Sequence, residues 1–164
     1  MTFLPIPPIE NLDLPLSKWH RRRYPSKSTI IYAGDKADVL YYVVKGIVCV
    51  LVEEQKNNTE MVITYLNAGE FFGEMGLFDD SVRSAWVKAK TDCEICEISY
   101  SKFRELSDTN PEFMFALTKQ ITNRLKETTK KASSLAFLDV TGRVARTLHD
   151  LCMQPDAMTH PDGM

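Results

Sequence analysis

No stretch of this sequence is apolar for long enough to cross a bilayer. The longest apolar run, residues 39–52, is broken by Lys45-Gly46, whereas a spanning helix needs about 20 such residues. Its β-branched content fits a hairpin instead. An excess of charge is also missing: 20 lysines and arginines face 22 aspartates and glutamates, a net charge of −2. Nothing global therefore draws the chain toward nucleic acid or a membrane. The first residues hold no basic segment followed by an apolar block, so no secretory leader is read and the expected location is cytoplasmic. Histidine is scarce. His20, His149 and His160 are the only three, and none falls in the expected strand region, which argues against a metal-dependent jelly-roll enzyme needing clustered histidines and carboxylates. No catalytic residue and no metal ligand is assigned.

Cysteine is present but poorly arranged for chemistry. Cys93 and Cys96 form a CxxC pair, yet no second pair or histidine pair completes a zinc set. The pair sits in a strand-like run, where positions three apart face opposite ways, so both thiolates cannot easily reach one metal. With Cys49 and Cys152 they read as structural thiols. Haem or iron–sulfur sensing would need an axial ligand or four suitably placed cysteines, and neither is apparent.

What is present suggests an ordinary soluble protein. The 164 residues are 44% hydrophobic and 26% charged, enough for a real core in one main domain with a small appendage. The first 18 residues are proline-rich, with room for a short helical piece at residues 9–19. Short strand-like runs follow at 28–32, 40–44, 47–53, 61–66, 85–90 and 93–99. Gly34-Asp35, Lys45-Gly46, Asn57-Asn58 and Asn67-Ala68-Gly69 supply the turns between them. Strands this short and close predict an antiparallel sandwich or jelly roll.

The most informative stretch is residues 73–85. Gly73 and Gly76 let backbone N–H groups approach an anion, and an abrupt helix start after Gly73-Glu74 aims its positive end the same way. Arg83 can grip phosphate oxygens in a bidentate fork, and Ser84 adds a hydroxyl donor. Glu74 suits a ribose hydroxyl. Downstream, Ala85, Val87 and Ala89 alternate with Trp86, Lys88 and Lys90, which puts Arg83 on the inward, apolar face. An inward guanidinium requires an acidic partner or a bound anion. A structural ion pair with Glu74 or Asp80 is one reading; the neighbouring glycines and serine favour a nucleotide phosphate.

Beyond residue 101 the pattern turns helical. A short helix is expected at 102–106. Asn110 as cap, Pro111 at the first helical position and Glu112 in the first turn then begin a long helix running to Phe137. Along it Met114, Thr118, Ile121, Leu125, Thr128, Ala132 and Leu135 recur at alternating spacings of four and three. That a/d register predicts two parallel helices in a homodimer, while Phe113, Phe115 and Leu117 are expected to lie on the chain's own sheet. Thr128 is a polar break in the seam, and Thr129 would point toward the opposite subunit's side. The two hydroxyls could read a nucleobase edge, or Thr128 could merely fix register. The long helix breaks at 138–143, and Val144, Leu148 and Leu151 mark a further amphipathic helix. Its unmet apolar face suggests the start of a second domain that is cut short.

These residues resemble the cyclic-AMP receptor protein family of bacterial transcription regulators, the catabolite activator group. The likeness covers nearly all of residues 19–164, and its specific segments are 23–29, 40–46, 73–78, 83–87 and 135–143, with 155–164 at the end. The resemblance implies an α+β chain: an N-terminal segment and cyclic nucleotide-binding β-roll (residues 1–109), a dimerisation helix (110–137), and a hinge leading into a truncated helix-turn-helix domain (138–164). It implies cyclic AMP as allosteric ligand, with Gly73 and Glu74 at ribose and phosphate, and Arg83 and Ser84 on the cyclic phosphate. Thr128 would meet the adenine, Thr129 would reach across from the partner, and Arg124 would support the pocket. Thr129 stands where the best-known members carry serine, which keeps the hydroxyl and adds a methyl. Phe137, Leu138 and Asp139 match the hinge. His20, Arg22 and Lys102 match one RNA polymerase contact patch, and Thr159, His160 and Gly163 a second. DNA and RNA polymerase are thus expected partners of the full-length protein, with no membrane. Cyclic GMP is one alternative ligand. Cyclic di-GMP is another, its second phosphate using Lys126, Lys130 and Lys131.

Overall fold

Alternating apolar and polar residues build two antiparallel four-stranded sheets. The computed structural model is described over residues 19–54, 59–79, 82–137 and 140–153. Its strands are β1 (His20–Tyr24), β2 (Thr29–Ile31), β3 (Val39–Lys45), β4 (Val48–Glu54), β5 (Thr59–Leu66), β6 (Phe71–Phe72), β7 (Trp86–Ala89) and β8 (Cys93–Ser99). One sheet is ordered β1-β8-β3-β6 and the other β2-β7-β4-β5, so the expected antiparallel β-roll is the observed fold. Between the sheets, Ile30, Ile31, Val43, Val48, Leu66, Phe72, Val87, Ala89, Cys93 and Ile95 form one buried core. Cys93 belongs to that core, while Cys96, also buried, leans toward Arg21 on the other face. Burial pushes both thiols up, which suits inert structural cysteines.

Six strands lie where the strand-like runs between turn residues predict them; β1 and β6 do not. The basic run at 20–23 is exposed, as expected of a solvated face, but His20 was expected outside the strands: the run is an edge strand, registered on β8 from His20↔Glu97 to Tyr24↔Cys93. Arg21 pairs with Glu94 at 3.3 Å and Arg22 with Glu97 at 3.8 Å. Such exposed pairs add little stability, but charges on an edge oppose pairing with another chain. Tyr24 closes the strand by donating to Glu97 Oε1, and burial, helped by that carboxylate, pushes its phenol up to about 12. The turn at Asn57-Asn58 and, but for Trp19, the helical piece expected at residues 9–19 lie outside the described residues.

Ser99 starts helix α1 (Tyr100–Thr109), its Oγ accepting from Lys102 N. The helix is longer than the expected 102–106 because this cap and the Asn110 N–H to Leu106 O bond (2.8 Å) fix both ends. Helix α2 (Glu112–Phe137) begins one residue after Pro111. Asn110 caps it through its carbonyl, which accepts from Phe113 N, while its side chain turns to Thr109. Trp19, Phe71, Phe103 and Phe113 pack as one aromatic cluster with centroids 6.2–6.5 Å from Trp19. Phe113, Leu117 and Gln120 form the inner face of α2. Phe115 does not join them: it is 72% exposed, because a step of two residues carries a side chain about 200° around a helix of 3.6 residues per turn.

Gln120 fills a place an apolar residue would be expected to take. At 2% exposure, its Oε1 accepts from Phe71 N and its Nε2 donates to Gly69 O, both at 2.8 Å. Gln120→Leu removes both of these bonds. We expect unfolding free energy to fall by about 2 kcal/mol, read as a lower urea midpoint with unchanged slope.

The chain divides into two compact units, Met1–Gln120 and Ile121–Met164. The second contains the outer part of α2 and helix α3 (Val140–Cys152). Of the expected seam, Met114 and Ile121 are half-buried, whereas Thr118, Leu125, Thr128, Ala132 and Leu135 are exposed in the single chain. Val140, Val144, Leu148 and Leu151 on α3 are exposed too. Phe137, the last residue of α2, is exposed; Leu138 and Asp139 lie outside the described residues.

Candidate functional site

At the end of β6 the chain turns on Gly73, whose φ is +73°. A Cβ there would lie 2.8 Å from Arg83 Nη1 and 3.1 Å from Tyr41 Cδ2, so both backbone and space demand glycine. The expected helix start is only a single 3-10 turn, Met75–Leu77, too short to develop a helix dipole. Packing explains Gly76, since a Cβ would meet Ala37 Cβ at 2.4 Å. What marks this turn is Gly73 at positive φ followed by right-handed Glu74 (φ −81°, ψ −20°); a left-handed residue beside a right-handed one is an arrangement in which backbone N–H groups can converge on an anion.

Arg83 is placed from the other side. The Lys36↔Val82 bridge, Arg83 N–H on Asp35 O, and Gly34 N–H on Arg83 O hold its backbone. Its side chain points inward as the alternation predicts and is 8% exposed. Nη1 donates to Gly73 O (3.0 Å) and Tyr100 Oη (3.1 Å), and Nη2 to Val39 O (2.7 Å). The expected acidic partner is not among these acceptors; Asp80 lies outside the described residues. The rings of Tyr41 and Tyr100 instead flank the cation at 5.5 and 6.0 Å, where their π faces favour positive charge. Three hydrogen bonds to protein acceptors thus leave from its two Nη groups, and none of them uses Nε–H.

Tyr100 ties the site together: its hydroxyl accepts from Arg83 and donates to Gly73 O at 2.5 Å. Burial pushes the Tyr100 and Tyr41 phenols up, against the pull of Arg83, so Tyr100 keeps the proton it donates. Ser84 is exposed, and its Oγ–H donates to Met75 Sδ at 3.2 Å. With Ala33, Val52, Glu53 and Trp86 it also lines a cleft of about 300 Å³. Trp86 stands there edge-on to Tyr32, with centroids 5.2 Å apart.

The structure therefore brings Gly73, Arg83 and Tyr100 together, with Glu74 half-buried beside them and Ser84 next along the chain. Arg124, half-buried, and Thr128 and Thr129, exposed, lie on α2 in the second unit. His20, Arg22 and Lys102 are exposed on β1 and α1; Thr159, His160 and Gly163 lie outside the described residues. Sequence reasoning missed Tyr41, Tyr100 and Met75. No local pattern links positions 41, 73, 83 and 100, which only the sheet register assembles.

Residues 21–110 match the cyclic nucleotide-binding domain family. The cAMP-activated global transcriptional regulator Vfr of Pseudomonas aeruginosa is 57% identical over 162 residues, spanning 96% of this chain and 75% of the relative. The cAMP-activated regulator CRP of Haemophilus influenzae is 56% identical over 154 residues, 93% of this chain and 68% of the relative. Among solved structures, the c-di-GMP responsive global regulator CLP of Xanthomonas campestris superposes with a TM-score of 0.83 at 45% identity, covering 93% of this chain and 76% of CLP. The chain belongs to the family of the CRP and Vfr transcriptional regulators.

Proposed function

We propose that this chain is the cAMP-binding, homodimerising sensor part of a cAMP-responsive, DNA-binding transcription regulator of the cytoplasm, and that it catalyses no reaction. The observation that carries this reading is Arg83: a buried guanidinium held by carbonyls, a phenol and two aromatic faces, with Nε–H outside those bonds. A cyclic phosphodiester supplies the missing negative charge through charge-assisted hydrogen bonds. Gly73 and Glu74 take the ribose and phosphate, Ser84 adds its hydroxyl, Thr128 and Thr129 read the adenine edge, and Arg124 supports them. The a/d positions of α2 pair two copies. In the full-length protein, ligand binding shifts residues 137–139 between two arrangements and so orients the DNA readers, which requires a coupling of roughly 1–3 kcal/mol. His20, Arg22 and Lys102, with Thr159, His160 and Gly163, are assigned to RNA polymerase.

A second reading is favoured by the named ligand of CLP: cyclic di-GMP, its extra phosphate met by Lys126, Lys130 and Lys131. Calorimetric titration with cAMP, cyclic GMP and cyclic di-GMP, alongside the mass of the protein in solution, separates the two. Dimeric protein preferring cAMP supports the first, and cyclic di-GMP displacing cAMP supports the second. We expect Thr128→Ala to weaken cAMP about tenfold, the loss of one hydrogen bond, and cyclic GMP less. Equal losses for both ligands would show that Thr128 does not read the base.

A further inference from the structure

Ser84, one of the groups assigned to the phosphate, already has a partner, and that partner is chemically changeable. Its hydroxyl hydrogen is directed at Met75 Sδ, 3.2 Å away. Met75 opens the 3-10 turn directly after Gly73-Glu74 and is 57% exposed. A thioether is a weak acceptor, so a phosphate oxygen can take the Ser84 proton from it at little cost. A sulfoxide is a different group: polar, chiral and a strong acceptor.

We propose that Met75 is an oxidation site through which peroxide lowers the affinity of the nucleotide site. This rests on the phosphate-binding reading of Ser84 and Arg83. In the step, the Sδ lone pair attacks one oxygen of a hydroperoxide. The S–O bond forms as the O–O bond breaks, sulfur gives up two electrons, and hydrogen peroxide leaves as water. Reduction by a sulfoxide reductase returns the thioether, with oxygen leaving as water and a dithiol becoming a disulfide. An oxygen added on the side facing Ser84 falls within the 3.2 Å that separates the two side chains. The turn and the hydroxyl must then move apart, or the Ser84 proton is held by the S=O group. Either outcome takes a donor from the phosphate and disturbs the turn that sets the Gly73 and Glu74 N–H groups.

The test is cAMP calorimetry on the full chain and its Met75→Leu variant, each before and after hydrogen peroxide, with sulfoxides located by mass spectrometry. Treated wild type should carry sulfoxide at Met75 and bind about tenfold more weakly, the size of one lost hydrogen bond. Methionine sulfoxide reductase should restore its affinity. Met75→Leu should respond to peroxide less than about twofold, although its other methionines and its cysteines meet the same oxidant. Equal losses in both proteins, or an unmodified Met75, would overturn the inference. If untreated wild type does not bind cAMP, the phosphate-site reading fails and takes this inference with it. Binding that peroxide leaves unchanged removes this inference alone.

Discussion

Arg83→Leu should abolish measurable cAMP binding in calorimetry while the protein remains folded. The substitution keeps an apolar stem on the inward face of the segment leading into β7, but removes every donor aimed at the site. Lost with it are the bonds to Gly73 O, Val39 O and Tyr100 Oη. Each unpaired partner costs about 1–3 kcal/mol if fully buried, but Gly73 O and Val39 O are only partly so, and Gly73 O keeps the Tyr100 bond. Stability should therefore fall by about 2 kcal/mol, readable as a shifted urea midpoint with the β-rich circular dichroism retained. The ligand loses more, because a phosphodiester brought into a largely dry site without a cation carries an uncompensated charge. Arg83→Lys restores the charge but not the planar fork, so it should bind weakly rather than not at all. Wild-type affinity in Arg83→Leu would refute the assignment of the pocket.

Gly73→Ala should damage binding as well as stability. Alanine at φ +73° is strained by about 1–2 kcal/mol, and the new methyl would press on Arg83 Nη1 at 2.8 Å. Moving that guanidinium by a fraction of an ångström breaks its alignment with both Gly73 O and Tyr100. Affinity for cAMP should fall about 30-fold or more, equivalent to roughly 2 kcal/mol. Gly69→Ala provides the comparison: its φ is +93°, but a Cβ there meets nothing within 4 Å. It should lose similar stability and keep its affinity. Matching affinities for the two variants would mean that Gly73 serves the backbone alone.

Much of this was legible in the residues because three signals are local. Short strand-like runs between turn residues placed six strands, period-two alternation turned Arg83 inward, and the Asn110-Pro111-Glu112 start located α2. What escaped depends on partners far along the chain. β1 is polar and exposed, and only its register on β8 makes it a strand. β6 has two residues, both buried, too few to show any period. The partner of Arg83 was sought among nearby carboxylates, whereas the fold supplies carbonyls from 39 and 73 and rings from 41 and 100. Phe115 was assigned by composition where helical angle decides, and Gln120 was overlooked because a buried amide reads as surface until its two backbone partners are known.

The chain's two tryptophans are divided between environments. Trp19 is enclosed by Phe71, Phe103 and Phe113, whereas Trp86 lines the cleft beside Ser84. This gives the protein two intrinsic optical probes, a blue-shifted one that reports loss of the aromatic cluster and a second that senses an occupant of the cleft. With either indole replaced by phenylalanine, denaturation and ligand entry can be followed as separate fluorescence signals without any attached dye.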